Sequence, residues 1–419
     1  MRPLLLSHSD NSGGAARASF RLHQALLSCG NDSRMQVGVR NTDDITIDCP
    51  TGELRKLASK VRPRLGSLLM RLQKTPNISP HSPNYFNSGL VKNLNQADAD
   101  VLNLHWVNNE FLSIEDIGSL QKPVVLTLHD MWAFCGAEHY ASDDENARWR
   151  KGYNVKNRLD GYAGIDIDRW VWRRKSKAWQ RPMHIVTPSR WLADCARAST
   201  LMRDWPVHVI PNPINTRQYQ PWPKKLAREI LGLPQTSKLV MFGAIRGGVD
   251  PRKGWNLLQA ALLTIAGKAS EIECVIFGQS IPQNSPNLGL PLHWIGHVHD
   301  DATLSLLYSA ADVMVVPSRQ ENLPQSATEA QSCGCPVVAF NCTGLPDAVE
   351  HMQTGYLAKA YDVEDLANGI LWVLGDDKRY LTLSKAARQR AVALWSQEIV
   401  AKKYLEVYEI AAKDYKDRY

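Results

Sequence analysis

Short apolar runs alternate along this chain with longer segments whose apolar residues recur at helical spacing. The runs at 4–6, 101–104, 124–128, 184–186 and 207–210 have the length and composition of buried parallel strands. After a break near Pro211-Asn212-Pro213 the pattern begins again, with runs at 239–242, 274–277, 313–316 and 337–340. Strands and helices alternating in this way are the sequence form of stacked β-α-β units. The expected fold class is α/β, with two doubly wound, Rossmann-like domains rather than one large sheet.

The helix after the first run is clearly marked. Ala18, Leu22, Ala25, Leu26 and Cys29 share one face, Gly13-Gly14 open the segment and Gly30 closes it. The last stretch, from about Glu398, carries Val400, Tyr404, Val407 and Ile410 at helical spacing, and this helix is expected to pack back on the first domain. The expected division is therefore 1–212 joined by 397–419, and 213–396. No repeat of fixed period is visible, which removes solenoids and propellers.

Composition narrows the picture further. A chain of 419 residues suits two domains of roughly 200 residues each, and 44% hydrophobic with 22% charged residues is ordinary for globular proteins. The net charge of +7 favours a negatively charged partner: a nucleotide, an anionic membrane surface or a nucleic acid. No nucleic-acid-binding module appears, so nucleic acid is not expected. The opening Met-Arg-Pro-Leu-Leu-Leu turns polar at Ser7 and no later run approaches a membrane span, so a cytoplasmic protein is expected.

Two basic stretches, 54–74 and 169–181, mix Leu or Trp with Lys and Arg. They are either solvated faces or a contact with an anionic membrane, and Pro63 is expected to start or kink a helix in the first. The eight cysteines lack paired or zinc-type spacing and read as reduced core thiols.

The most informative segment is Pro317-Ser-Arg-Gln-Glu-Asn-Leu-Pro-Gln-Ser-Ala-Thr-Glu-Ala-Gln-Ser-Cys-Gly-Cys-Pro, directly after the run 313–316. Glu321 and Glu329 are separated by seven residues. Pro324 suits the first turn of a helix ending at Gly334, which puts Glu321 in the loop at the strand's carboxyl end and Glu329 on the helix. Free backbone N–H groups of the first helical turn, around Leu323 to Ser326, offer a phosphate site, with Asn322, Leu323, Pro324 and Gln325 the donor-binding candidates there, while the carboxylates suit sugar or ribose hydroxyls. A nucleotide-sugar asks for both.

This segment resembles the signature of retaining glycosyltransferase family four, which has the GT-B fold, and similar landmarks run nearly end to end. They include Gly13-Gly14, Thr127-Leu128-His129-Asp130, Thr187-Pro188-Ser189, Ile210-Pro211-Asn212, Arg252-Lys253-Gly254, Ile295-Gly296, Ala310-Ala311-Asp312 and Gly344-Leu345-Pro346-Asp347. The resemblance implies two Rossmann-like domains facing a central cleft. It implies that Glu329 binds the donor ribose, Glu321 contacts the transferred sugar and Lys253 holds the diphosphate, neutralising charge on the leaving nucleotide in place of a metal. Arg246 and Arg252 are both candidates for an arginine that accompanies that lysine. His129 points to the donor sugar or its phosphate, Gly13 and Gly14 let a loop approach the diphosphate, and main-chain groups near Gly278 and Val298 recognise the base.

The implied activity is a metal-independent, retaining transfer from a UDP- or GDP-sugar to a glycan or lipid-linked acceptor in cell-surface polysaccharide synthesis; of the two readings of the basic stretches, membrane contact would make the protein peripheral to the inner face of the plasma membrane. No cofactor is required beyond the donor. A sugar-nucleotide epimerase or hydrolase, or a nucleotide-sugar-binding scaffold, are the competing readings. His105, Trp106 and His139 either shape the acceptor pocket or pack at strand ends. The family's relatives often carry several cysteines after Thr-Leu-His-Asp, whereas this chain has Cys135 followed by Glu138-His139-Tyr140. The loop 141–160 is therefore expected to set acceptor choice.

Overall fold

A computed structural model describes residues 1–243, 250–268, 271–283 and 285–418. The chain divides into two compact units, Met1–Ile210 with Val400–Tyr419, and Pro211–Ile399. Arg246 lies outside the described residues.

The first unit is built on a seven-stranded sheet in the order Ile47–Asp48, Arg34–Val39, Pro3–Ser9, Val101–His105, Val124–Thr127, His184–Thr187, Val207–Val209. Every pairing in it is parallel. Both faces are covered, which is why its central strands read as near-continuous apolar runs. Leu5, Leu6, Leu102 and Leu104 are fully buried, each contributing about 1.5–3 kcal/mol relative to exposure. The helix Gly14–Ser28 packs Leu22, Ala25 and Leu26 into the core.

The helix Gln397–Arg418 supplies Val400, Tyr404, Val407 and Tyr408 to the same cluster as Leu5, Val101 and Val125. Ile410, expected on its buried face, is instead 45% exposed. Tyr408 and Ala411 occupy the inward positions, because the inward-facing stripe runs through Tyr404, Tyr408 and Ala411.

The second unit carries a six-stranded parallel sheet in the order Leu292–Gly296, Ile272–Phe277, Lys238–Gly243, Val313–Val316, Val337–Phe340, Gly355–Ala358. Within these two sheets, four of the described strands were not foreseen from continuous apolar runs: Arg34–Val39, Ile47–Asp48, Leu292–Gly296 and Gly355–Ala358. Each lies at or next to a sheet edge or is interrupted by glycine or polar residues.

In both sheets the strand order reverses once near the middle. The reversal falls between Pro3–Ser9 and Val101–His105 in one unit, and between Lys238–Gly243 and Val313–Val316 in the other. At such a point the loops leaving two neighbouring strands diverge, and their carboxyl ends form a crevice suited to a ligand.

The helix Glu53–Met70 runs through Pro63 rather than starting there. A proline here removes one intrahelical donor, and the turns on either side maintain the helix. Leu57 and Leu68 on this helix are 59% and 57% exposed, and Val61, Leu65 and the following Leu72 are also exposed. Lys56, Lys60, Arg64 and Arg71 are exposed alongside them. Among the described residues no helix is long and apolar enough to cross a membrane.

Candidate functional site

In the second unit, the site grows from the two strands that flank the reversal. After Lys238–Gly243, the short turn Pro251–Lys253 is capped by Asp250, whose carboxylate accepts from the Arg252 N–H at 3.0 Å. Gly254 closes the turn at φ +67°, and a Cβ there would overlap the Pro317 carbonyl oxygen. Only glycine allows that approach. The Arg319 N–H then donates to the Arg252 carbonyl at 2.7 Å, stitching this turn to the loop that follows Val313–Val316.

The result is an ion pair between residues far apart in sequence: Lys253 Nζ donates to Glu321 Oε1, with side chains 27% and 12% exposed. Ser318 Oγ donates to the same oxygen at 3.3 Å. The Glu321 backbone is fixed from both sides, its N–H donating to Thr343 Oγ1 at 3.1 Å and its carbonyl accepting from the Gly344 N–H at 3.0 Å. Arg252 turns its guanidinium back to Asp250, with bonds of 3.2 and 2.7 Å.

The helix Gln325–Ser332 starts one residue later than the sequence suggested. Pro324 is its extended cap (φ −67°, ψ 122°), and the Pro324 carbonyl accepts from Ala327 and Thr328. Having no N–H, proline loses nothing in that position. At the other end Cys335 donates to Ala330 O and Gly334 to Gln331 O, with Gly334 at φ +74°, a Schellman stop that buries Cys333 and Cys335. Burial pushes both thiols up, Cys333 to about 12.

Glu329 is buried on this helix, its Oε2 accepting from the Tyr308 hydroxyl at 2.8 Å. Tyr308 is in turn packed edge-on against Phe277. Asn322 and Leu323 are buried beside the start of the helix and Gln325 is half-buried. Gly278 has φ +83°, and its N–H is engaged by the Gly296 carbonyl at 2.7 Å. Val298 packs partly buried against the core of this unit. Of the candidates in the second unit, Lys253 and Glu321 are in direct contact. Glu329 is anchored separately by Tyr308, and Gly278 lies in the strand-end loops nearest the far edge.

In the first unit, Gly13 caps the first helix at φ 90°, ψ 172°, with nothing within 4 Å of where a Cβ would stand. Gly14 is the first helical residue. His129 follows the strand Val124–Thr127, and its Nε2 lies 3.0 Å from His105 Nδ1. Burial depresses His129 to about 4, against the opposing charge of Asp130. His105, wholly buried, is pushed well below the usual imidazole range by burial and then by His129. Burial raises the Asp130 carboxyl, but His139 and the Trp132 N–H outweigh it and leave it below its ordinary value. Asp130 Oδ2 receives His139 Nδ1 at 2.6 Å and Trp106 Nε1 at 3.0 Å, so Trp106 and His139 hold the loop that carries His129.

Sequence reasoning named Trp106 but missed the rest of the loop after Val101–His105. Trp106, Asn109 and Glu110 all have positive φ (40°, 55° and 59°), a costly conformation for residues with a Cβ. Glu110 accepts from the Tyr85 and Phe86 N–H groups at 2.6 and 2.9 Å, and burial raises its carboxyl. This loop, the end of the first strand and the helix Glu53–Met70 enclose a cavity of about 210 Å³, lined by His8, Val39, Arg62, Asn87, Asn109 and Glu110 among others. The one sequence signal pointing there was Arg62, in the first basic stretch. Among the described residues no group of three or more His, Cys, Asp or Glu stands together as a metal site.

Comparison with known proteins places these features in a family. The family model for Glycosyltransferase Family 4 matches residues 12–218, and that for Glycosyl transferases group 1 matches residues 224–390. The chain belongs to this glycosyltransferase family, a transferase class with the GT-B architecture of two parallel-sheet units.

Similar curated proteins include the D-inositol 3-phosphate glycosyltransferases of Mycolicibacterium vanbaalenii, 33% identical over 51% of this chain and 50% of theirs, and of Mycolicibacterium smegmatis, 30% identical over 51% and 49%. The chain spans about half the length of the curated relatives it matches. Among solved structures, sucrose-phosphate synthase from Thermosynechococcus elongatus superposes with TM-score 0.67 at 20% identity over 98% of each chain. Anabaena HepE in complex with UDP and glucose gives 0.66 at 17%, over 98% of this chain and 99% of that one. At these identities the likeness is one of fold.

Proposed function

We propose that this glycosyltransferase moves a sugar from a UDP- or GDP-sugar to a glycan or lipid-linked acceptor in cell-surface polysaccharide synthesis, retaining the anomeric configuration and using no metal. The observation that carries the reading is the Lys253–Glu321 pair at the strand-order reversal of the second sheet, with Lys253 in the turn Pro251–Lys253 and Glu321 in the loop that leads into the helix Gln325–Ser332. A lysine beside helix-opening N–H groups suits a pyrophosphate, and a carboxylate on that lysine suits a sugar hydroxyl.

In this reading Lys253 turns part of its charge to the diphosphate and Glu321 accepts from the transferred sugar. Glu329 takes the ribose hydroxyls, and the main chain at Gly278 and Val298 borders the base. Arg246 or Arg252 joins Lys253. Gly13 and Gly14 leave room for the diphosphate, and His129 serves the donor sugar. The acceptor hydroxyl attacks the anomeric carbon on the face from which the nucleotide departs. The bond to the diphosphate oxygen breaks as the new glycosidic bond forms, and that oxygen takes the acceptor's proton. Lys253 offsets the negative charge that grows there, the task a divalent cation performs in other transferases.

The cavity of the first unit suits the acceptor, since it joins polar groups to the apolar faces of Val39 and Phe111. The exposed Leu and Val stripe flanked by Lys and Arg on Glu53–Met70 suits the anionic inner face of the plasma membrane.

The test is a panel of UDP- and GDP-sugars incubated with lipid-linked glycan acceptors, with and without EDTA, products being identified by mass spectrometry and anomeric NMR. Expected are acceptor-dependent release of nucleoside diphosphate, an α-linked product from an α-linked donor, and no loss with EDTA. Donor conversion without acceptor would point instead to an epimerase or hydrolase, and binding without turnover to a scaffold. Flotation with anionic but not neutral liposomes checks the membrane contact.

A further inference from the structure

Three residues other than glycine hold a positive φ among the described residues of the second unit: Thr343 at 49°, Met352 at 60° and Tyr361 at 65°. Such angles are costly for a residue with a Cβ, most of all a β-branched one, and they persist only where the surroundings impose them. Met352 lies in an exposed turn. Thr343 and Tyr361 instead both bond to the segment that carries Glu321.

Thr343 comes shortly after the strand Val337–Phe340, and the next residue, Gly344, could take a positive φ at little cost. The left-handed turn nevertheless falls on the threonine, and Gly344 sits at φ −86°, ψ 2°. Turned this way, Thr343 Oγ1 accepts from the Glu321 N–H at 3.1 Å while the Gly344 N–H donates to the Glu321 carbonyl at 3.0 Å. Two consecutive residues thus grip both backbone groups of Glu321. Tyr361 comes shortly after the strand Gly355–Ala358. Its ring packs edge-on against the buried Phe340, with centroids 5.9 Å apart, and its hydroxyl donates to the Arg319 carbonyl at 3.1 Å. The Arg319 N–H is committed in turn to the Arg252 carbonyl at 2.7 Å, in the turn that ends with Lys253.

We propose that Thr343 and Tyr361 are positioning residues for the transfer. Their backbone strain is kept because their hydroxyls set the segment Arg319–Glu321 and, through the Arg252 carbonyl, the turn of the lysine that bonds to Glu321. Both act through the backbone of that segment. The proposal rests on the reading of Glu321 as the contact to the transferred sugar, and the experiment separates the two.

Thr343→Gly makes the same turn without strain and lacks the accepting oxygen. It should lower kcat by about tenfold, with the KM for the nucleotide-sugar changing less, and speed hydrogen exchange at the Glu321 amide. Thr343→Ser supplies the oxygen again and should recover most of both losses. Tyr361→Phe keeps the ring on Phe340 and removes only the donor, and should lower kcat by about threefold. In a Glu321→Gln background, Thr343→Gly should cost less than about twofold, because a residue that acts through Glu321 then has nothing left to position. Thr343→Gly at the wild-type kcat, Thr343→Ser as slow as Thr343→Gly, or an undiminished loss in the Glu321→Gln background would each overturn the proposal. Failure of the underlying reading has a different signature: exchange at the Glu321 amide responds to Thr343→Gly, yet Glu321→Gln turns over at the wild-type rate.

Discussion

The two strand-order reversals in this molecule are equipped in opposite ways. In the second unit the crevice is ionic: a half-buried Lys253 meets a buried Glu321 on loops, with the Glu321 backbone held by Thr343 and Gly344 and the neighbouring Arg252 carbonyl held by Arg319. In the first unit two histidines with depressed pKa are joined in a chain to Asn103 and Tyr408, beside the Asp130 carboxylate. The contrast fits a division of labour. Under the proposed function the ionic crevice is the one that meets the leaving diphosphate.

The sharpest way to break that comparison is Lys253→Ala. Removing a cation that meets developing charge should lower kcat by about 10²–10³, with Lys253→Arg recovering part of the loss, as read by steady-state release of nucleoside diphosphate. Glu329→Ala comes next, weakening nucleoside diphosphate binding by about 10- to 100-fold in calorimetry, since it removes hydrogen bonds to a charged group. Gly254→Ala probes the scaffold under the ionic site. It forces a positive φ and an overlap with Pro317, and should cost about 1–3 kcal/mol in chemical denaturation.

The smallest effect concerns the buried support of the first unit. Burial, then the neighbouring Glu138, raises the Asp168 carboxyl to about 8, with Gln73 and His81 opposing. The folded protein keeps a proton there that the unfolded chain releases in the ordinary carboxylate range. This contribution is complete at low pH and is lost as pH rises through about 8, with a slope of at most about 1.4 kcal/mol per pH unit. Asp168→Asn should flatten that part of the stability profile measured by denaturation between pH 5 and 9, while leaving donor binding in the second unit unchanged.

The apolar runs in the centres of both sheets were readable because strands buried on two faces must be continuously apolar. Arg34–Val39 escaped because it alternates Met35, Val37 and Val39 with Arg34, Gln36 and Gly38, and Leu292–Gly296 because it is an edge strand whose residues are all half-buried. The carboxylate pair and Lys253 could be named from the motif, but that Lys253 bonds to Glu321 across 68 positions follows only from the close approach at Gly254. The Asn103–Tyr408 bond spans 305 positions and leaves no local trace. Nor does a sequence pattern announce the positive φ angles of Trp106, Asn109 and Glu110, since only asparagine among them favours that region.

The returning helix Gln397–Arg418 also has a bearing on how the protein is made. Its Val400, Tyr404, Val407 and Tyr408 complete the cluster around Leu5, Val101, Val125 and Val186, so the first unit to emerge from the ribosome is the last to be finished. At translation speeds of about 5–20 residues per second, the intervening 211–399 stretch leaves that apolar surface uncovered for on the order of ten seconds or more. A nascent chain in that interval is a natural client for a chaperone. Its release into a native state waits on the synthesis of residues far downstream.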